Sequence, residues 1–351
     1  MRVGICISTF RRPEQLATLL DAVAELRFSR HPDSRVDVIV VNNDVERSIA
    51  PVLDKARTRL GNRLHGLEEP RRGIPQARNC ALRHALSLGA DYVAFLDDDE
   101  WPDPCWLDNL LEGAVLHEAA LVQGRVVAEY MAGPPAWMRE AGLFDGGRDE
   151  SNLVKGQSLT YAATNNLLVR ADVVRAIGSF DEWWGTQGGD DTEFTLRASR
   201  YGFSIVWWPE AVVHEWIAPD RMTCRWIFRR AFRSGNTYGL ICSRLSGSWG
   251  SNCLLLLFSN LMLLVAVVKI PWGLARGRIA SVMAVRELFY AAGNIVGALD
   301  FKYREYEKPF VGSDFTSDGH RRKVQPPVDP REKQVTPTAS PANAGRRRDV
   351  T

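Results

Sequence analysis

Apolar residues in the first hundred positions fall into short unbroken runs, separated by stretches with helical spacing. Val3 to Thr9, Val36 to Val41 and Tyr92 to Leu96 are rich in β-branched, aromatic and other apolar side chains and end in polar or turn-forming residues. Such runs predict strands buried on both faces. After the first, Arg12-Pro13 opens a helix with proline near its first turn, and Leu16, Leu19, Leu20 and Val23 recur at i, i+3, i+4 and i+7. Pro75 starts a second helical stretch that runs through Leu88. Strand, helix, strand, helix, strand implies an α/β domain with a parallel, doubly wound sheet. Thr9, Asn43 and an acidic run beginning at Asp97 stand at the carboxyl ends of these strands, the edge where such sheets bind ligands.

From about Trp101 to Trp216 the pattern is mixed. Leu121 to Tyr130, Ser158 to Val169 and Phe203 to Trp208 read as strands, and Asp190 to Arg200 as a helix. This half is expected to continue the first as one domain over residues 1–220. The chain then changes character. Arg225, Arg229, Arg230 and Arg233 alternate with Trp226, Phe228 and Phe232. Cys253 to Val268 is apolar except for Ser259-Asn260, and it ends at Lys269, Pro271 and Trp272. That length is at the lower limit for a membrane-spanning helix. A buried helix of a soluble domain would read the same way, but the adjoining Arg and Trp favour a lipid interface. Ile279 to Leu299 is a second, weaker apolar stretch with Arg286-Glu287 in its middle. A single span would put a basic tail outside, against the positive-inside tendency, so a hairpin or two surface-bound segments is expected. Residues 221–301 thus read as a membrane-associated helical region. Residues 302–351, dominated by Pro, Arg, Lys and Asp, read as a disordered tail whose Arg346-Arg347-Arg348 can touch lipid headgroups.

Bulk properties remove several classes. With 45% apolar and 25% charged residues, the composition is that of an ordinary globular protein. A net charge of +2, with no basic, aromatic-interleaved stripe in the first two hundred residues, argues against nucleic acid as a partner. The 6 cysteines form no CxxC pair, which suggests free thiols in a reducing compartment. The apolar stretch at the start is cut off by Arg11-Arg12-Pro13, too short for a signal peptide, so the catalytic part is expected in the cytoplasm.

The run Asp97-Asp98-Asp99-Glu100 carries the chemistry. Carboxylates packed this closely repel one another and need a cation or a cluster of donors to hold them. On an extended chain Asp97 and Asp99 face one spot while Asp98 points elsewhere. That geometry suits a hard divalent ion shared with nucleotide phosphates, the bland alternative being a solvated acidic loop.

Further segments join it in order: Ile7-Ser8-Thr9-Phe10-Arg11-Arg12-Pro13, Val41-Asn42-Asn43-Asp44, Gly73-Ile74-Pro75-Gln76-Ala77-Arg78-Asn79, Gly189-Asp190-Asp191-Thr192-Glu193 and His214-Glu215-Trp216. Over residues 1–235 the set resembles the inverting, metal-dependent glycosyltransferases of family 2, with their GT-A fold, a Rossmann-like mixed sheet flanked by helices. Ala163-Thr164-Asn165-Asn166-Leu167-Leu168 and Arg229-Arg230-Ala231-Phe232-Arg233-Ser234-Gly235-Asn236 resemble more narrowly the bacterial exopolysaccharide transferases of succinoglycan type.

The resemblance implies that Asp97-Asp98-Asp99 is the family's DxD motif. Asp99 would hold Mn²⁺ or Mg²⁺ on the donor diphosphate, while Asp97 and Asp98 address ribose and sugar. Asp191 matches the catalytic base, which takes the acceptor's proton in a single displacement. The same carboxylates would also suit a helix start. His214 matches a late histidine that completes the metal site or touches phosphate. Thr9, Arg12, Asn43, Asp44 and Arg78 match nucleotide-contacting positions. Trp183, Trp184 and Asp190 are candidates for the acceptor side, with core packing the alternative for the tryptophans. Asn42 departs from the family's usual Asp, so a uridine donor is expected while thymidine and guanosine stay open. The expected partners are a nucleotide-diphosphate sugar, a lipid-linked or glycan acceptor, and the cytoplasmic face of the membrane. An inactive membrane-anchored scaffold and a nucleotidyltransferase are the competing readings, the latter disfavoured because Ser8 to Pro13 offers no Gly-rich, Lys-containing loop.

Overall fold

A computed structural model of the chain describes residues 1–144, 153–185, 187–246 and 249–303. The expectation for the tail beyond residue 303 falls outside the described residues.

Strands β1 (Arg2–Thr9), β2 (Arg35–Asn42), β3 (Leu64–Glu68) and β4 (Tyr92–Asp97) form a parallel half-sheet, with α1 (Pro13–Val23), α2 (Ala50–Leu60) and α3 (Ile74–Ser87) as crossovers. The second half adds β5 (Glu100–Pro102), α4 (Trp106–Leu116), β6 (Leu121–Tyr130), α5 (Ala136–Glu140), β7 (Leu167–Arg170), α6 (Ala171–Ile177), α7 (Asp190–Arg200) and β8 (Ile205–Ile217). One sheet of order β3-β2-β1-β4-β7-β6-β8-β5 results, in which β7 and β5 run antiparallel to their neighbours. The sheet is mixed, the GT-A arrangement.

Strand alternation splits the core into two layers. Val3, Ile5 and Ile7 of β1 face α1 and α4 through Leu16, Leu19, Leu20, Trp106 and Leu110. Cys6 points the other way with Ile39 and Phe95, against Ala81 and Leu82 of α3 and Phe194 of α7. Both faces are covered, which is why these strands read as continuous apolar runs. Gly4 lets α3 approach closely, since a Cβ there would stand 2.6 Å from that of Ala85.

Two expected boundaries are corrected. Ser158 to Val169 is not one strand, for only Leu167–Arg170 is. Upstream, Ser158 makes one isolated bridge to Val206 and the Leu159 N–H donates to the Ile205 carbonyl, after which side chains take over: the Ala162 N–H donates to Thr195 Oγ1 and that of Ala163 to Gln123 Oε1, while Asn166 Nδ2 donates to the Arg125 and Ala211 carbonyls. The strand expected to stop at Trp208 continues to Ile217, because the β6–β8 register shifts at Gly124/Arg125 and the bulge absorbs Pro209.

After a turn at Pro219–Arg221 come three long helices, α8 (Cys224–Ser246), α9 (Trp249–Arg276) and α10 (Arg278–Ala298). Asn252–Arg276 and Arg278–Ala298 are long and apolar enough to cross a membrane by length and composition.

Candidate active site

The acidic run closes into a tight turn. β4 stops at Asp97, and residues 98–99 turn before β5, so two-residue alternation does not extend through the motif. Asp98 Oδ2 accepts from Thr9 Oγ1 at 2.9 Å and from the Phe10 N–H at 3.2 Å, and its Oδ1 accepts from Arg12 Nη1 at 2.8 Å. Asp99 Oδ2 lies 3.0 Å from Arg12 Nη1 and 3.1 Å from Arg221 Nη2. Asp97 turns instead to Arg78 Nη2, at 3.2 Å. The expected grouping is thereby corrected: Asp98 and Asp99 share one guanidinium, and Asp97 is the one apart. Burial pushes the Asp98 carboxyl up to about 6, against the pull of Arg12. Burial, followed by the charge of Asp97, holds the Glu100 carboxyl well above its ordinary value. Its Oε2 accepts from the Asp97 N–H at 2.9 Å and braces the turn from inside the protein.

The β1–α1 loop delivers the arginines. Arg11 adopts a left-handed backbone, φ 61°, a strained state for a non-glycine residue and one typical of sites that require a particular aim. It sends Arg11 Nε to Asp44 Oδ2 at 2.6 Å while Arg12 turns to the acidic run. Asn43 ties the end of β2 to the next loop: its Nδ2 donates to the Glu69 and Arg71 carbonyls, and its Oδ1 accepts from the Gly73 N–H at 2.9 Å. Asn42 is buried, and its amide is spent on the backbone of Asp44 and Arg47.

Arg78 joins the two halves. From α3 its Nη1 donates to Asp190 Oδ2 at 2.7 Å and its Nη2 reaches Asp97, so the start of α7 is held beside the acidic turn. Arg78 is buried, and both its terminal nitrogens are engaged by carboxylates. Asp190 is 1% exposed, and burial raises its carboxyl above the ordinary range. Asp191, one residue on, is half-buried; its Oδ1 accepts from the Thr192 N–H at 2.6 Å. Gly189 supplies the left-handed cap of α7, φ 99°, and a Cβ on it would stand 2.1 Å from Thr237 Cγ2 of α8. The acceptor-side candidates are corrected accordingly. Asp190 is consumed by Arg78, and Trp184 is a core residue packed on Leu240 and Ile241. Trp183 is half-buried, with Arg244 and Lys302 each 3.3 Å from its ring centroid.

His214 is corrected from a loop to a position within β8. Its Nδ1 and Nε2 each lie 3.1 Å from a carboxylate, of Glu129 and Asp103, and it stacks on Trp101. The Asp103 hydrogen bond raises its pKa above the usual histidine value, despite partial burial. Successive strand residues face opposite sides, and it is the next one, Glu215, that shares surroundings with Asp99: Arg221 bridges them, at 2.7 Å from Glu215 and 3.1 Å from Asp99. Burial, then the charge of Asp99, raises the Glu215 carboxyl. Glu215 and Arg221 are the site residues that sequence reasoning missed. The His214-Glu215-Trp216 segment flagged the place but not the side chain.

Among the described residues no three His, Cys, Asp or Glu side chains converge as a ready-made metal cage. Mg²⁺ and Mn²⁺ are ordinarily held by one or two carboxylates and completed by phosphate oxygens and water. Asp99, whose charge raises both Asp97 and Glu215, and Glu215, joined to it through Arg221, supply hard carboxylate oxygens on one side of the turn. The residues fit the ion.

Comparisons agree with this layout. Residues 4–178 match the family described as Glycosyl transferase family 2, and residues 92–299 match Glycosyl transferase family group 2. The chain is 36% identical over 241 residues to the succinoglycan biosynthesis protein ExoM of Rhizobium meliloti (strain 1021), covering 68% of this chain and 73% of that protein. It is 34% identical over 212 residues to galactofuranosyltransferase GlfT1 of Mycolicibacterium smegmatis, covering 56% of this chain and 65% of that one. The fold matches that of the mannosyltransferase PcManGT from Pyrobaculum calidifontis with a TM-score of 0.56 at 17% identity, over 85% of this chain and 87% of the other. With a GT-A sheet, an acidic turn after its fourth strand and this family match, the chain belongs to glycosyltransferase family 2.

Proposed function

We propose that this chain is a metal-dependent, inverting glycosyltransferase. It moves one sugar from a UDP-linked donor to a lipid-linked or polysaccharide acceptor, in exopolysaccharide assembly at the cytoplasmic face of the cell membrane. The observation that carries the reading is the buried Arg78 bridge, which fixes the acidic turn and the Asp191 helix start in one place. Donor binding and proton abstraction need that adjacency.

In this reading Thr9, Arg12, Asn43, Asp44, Arg78, Asp97 and Asp98 form the nucleotide-sugar wall. Asp99 would hold the ion, with Glu215 on the same side, and His214 is a positioning residue for β5 through Trp101 and Asp103. Bound Mn²⁺ or Mg²⁺ supplies charge neutralisation on the departing diphosphate. Arg12 and Arg221 contribute positive charge to the same leaving group. Asp191 accepts the acceptor hydroxyl's proton as that oxygen bonds to the anomeric carbon; the bond to the diphosphate breaks, and the nucleoside diphosphate leaves. Half-burial keeps Asp191 reachable while Asp190 is not. The exopolysaccharide assignment is supported by the named relative in succinoglycan biosynthesis. The metal is supported by the neighbour solved with GDP-Man and Mn²⁺. Residues 1–220 are the catalytic domain, 221–301 the membrane-associated helices and 302–351 a tail, a division supported by the end of β8 at Ile217 and the start of α8 at Cys224.

The test is a panel of UDP-, GDP- and TDP-sugars with and without Mn²⁺, read by melting temperature. A UDP-sugar at about 100 times its Kd should stabilise the protein by about 2.7 kcal/mol, and only with the metal. Stabilisation that is equal without metal, or confined to GDP- or TDP-sugars, refutes the metal or the uridine assignment respectively.

A further inference from the structure

The membrane-associated helices pose a geometric question that hydropathy leaves open, namely whether α9 crosses the bilayer or lies in it. α9 has two distinct faces. Leu254, Leu257, Leu261, Leu264, Val268 and Trp272 recur at three- and four-residue intervals and are all more than half exposed. The opposite face is turned inward: Ser259 and Ala266 are buried, Ser259 Oγ donates to Asn294 Oδ1 of α10, and a Cβ on Gly273 would stand 2.9 Å from the Ala280 carbonyl oxygen.

α10 in turn is locked to α8. Gly235 and Gly239 of α8 meet Gly293 and Gly297 of α10 backbone to backbone, with ideal Cβ positions 1.9 to 2.2 Å from the carbonyl oxygens of Tyr290, Asn294, Phe232 and Asn236. These paired small-xxx-small steps pack the two helices at the closest distance. α8 lies along the catalytic domain. Ile227 packs with Trp137, Phe144 and Ile217 near one end, Thr237 touches Gly189 in the middle, and Leu240 and Ile241 cover Trp184 toward the other.

Both ends of α9 return to that domain. Four residues before it, the Leu245 carbonyl accepts from Arg200 of α7. Two residues after it, the Arg278 guanidinium lies 4.7 Å over the ring of Trp137 in α5. A helix of 28 residues is about 42 Å long, so a perpendicular α9 would carry its far end beyond the opposite leaflet. With both ends anchored, that orientation would drag the polar catalytic domain into the hydrocarbon.

We infer that α9 lies in the plane of one leaflet as a monotopic anchor, its Leu254–Trp272 arc sunk among acyl chains and its other face carried on α10 and α8. The occupant is a lipid bilayer with anionic headgroups. The exposed cations Arg276 and Arg278 border the apolar arc, and Arg276 sits 3.6 Å over Trp272, an interfacial pair; Lys269, beside them, is paired with Glu287 of α10 at 2.6 Å. An in-plane helix sinks about 5–10 Å. Since α8 carries Thr237 against Gly189, the acceptor side of the site then stands about two helix diameters from the acyl chains, in reach of a lipid-linked acceptor.

The inference rests on the membrane association proposed above, and its experiment separates the two. Single cysteines bearing a nitroxide are placed at 254, 257, 260, 261, 264, 267 and 268 in the full chain with Cys105→Ser and Cys253→Ser; the parent supplies the background. On vesicles of 30% phosphatidylglycerol in phosphatidylcholine, collision with oxygen and a nickel chelate reports depth. The expected profile oscillates with the helical period, deep at 257, 261, 264 and 268 and shallow at 260 and 267, with no site deeper than about 10 Å. A smooth rise to the bilayer centre and fall again, with the protein still vesicle-bound, overturns the in-plane inference alone. No vesicle binding overturns the membrane reading with it. As a second arm, Leu257→Glu/Leu261→Glu/Leu264→Glu weakens vesicle partitioning by more than about 100-fold while the Mn²⁺–UDP thermal shift persists. Unchanged partitioning would remove the arc as the lipid face.

Discussion

Removing Arg78 tests the junction on which the site depends. Arg78→Met keeps the stem and deletes the cation, leaving Asp97 and Asp190 without their contacts at 3.2 and 2.7 Å. The two carboxylates do not respond alike. The Asp97 side chain is 44% exposed, so water replaces the lost partner at small cost. Asp190 is 1% exposed and has nowhere to turn. Stripping one partner from a buried pair costs about 3–5 kcal/mol. At roughly 2–4 °C per kcal/mol that lowers the melting temperature by about 6–20 °C.

The pH dependence is diagnostic. Burial already holds the Asp190 carboxyl above its ordinary value, and Arg78 pulls it down; without Arg78 it rises further. A carboxyl with a raised native pKa contributes stability that is complete below the unfolded value and is lost as pH climbs through the native one. The penalty of Arg78→Met is therefore largest near pH 8 and shrinks on acidification, by at most about 1.4 kcal/mol per pH unit. Melts followed by circular dichroism between about pH 6 and about pH 8 read both quantities. In the Asp190→Asn background the pH dependence should vanish. A loss of less than about 2 °C across that range would refute the buried-bridge argument.

Three further outcomes are expected. Asp191→Asn should lower kcat by about 10²- to 10⁴-fold while calorimetry finds donor affinity nearly unchanged, and equal turnover would remove Asp191 as the base. Asp99→Ala should abolish the Mn²⁺-dependent part of UDP-sugar binding in the same titration, leaving any metal-independent part in place; undiminished metal dependence would move the ion elsewhere. Gly235→Ala, whose Cβ would stand 1.9 Å from the Tyr290 carbonyl oxygen, should destabilise the chain by about 1–3 kcal/mol in denaturant titration, whereas Gly250→Ala, with nothing within 4 Å, should not.

The chain's local patterns account for much of the outcome. Parallel strands buried on both faces have no polar alternation to obscure them, so β1, β2 and β4 are legible as apolar runs, and α1 declares itself through Leu16, Leu19, Leu20 and Val23. The acidic turn and the Asp190-Asp191 helix start are legible because their chemistry is compressed into adjacent residues. β3, α2 and α4 escaped, since Leu64–Glu68 is short and only partly buried and α4 buries Asp108 and Asn109, polar residues that interrupt its apolar face. Asp108 is tolerated there because the backbone N–H groups of Ser29, Arg30 and His31 converge on it from far away in sequence.

What sequence determines here is whatever depends on neighbours along the chain: the buried strands β1, β2 and β4 and the helix α1, the composition of the acidic run and the apolar length of α9. Tertiary structure decided which carboxylate meets which arginine, that Glu215 and not His214 joins Asp99, that Trp184 is core, and that both ends of α9 come home to one domain. Those outcomes depend on register and crossover. A bulge of a few residues in β8, or a turn in place of one more extended residue after β4, reverses which way a side chain points, and no local pattern reports it.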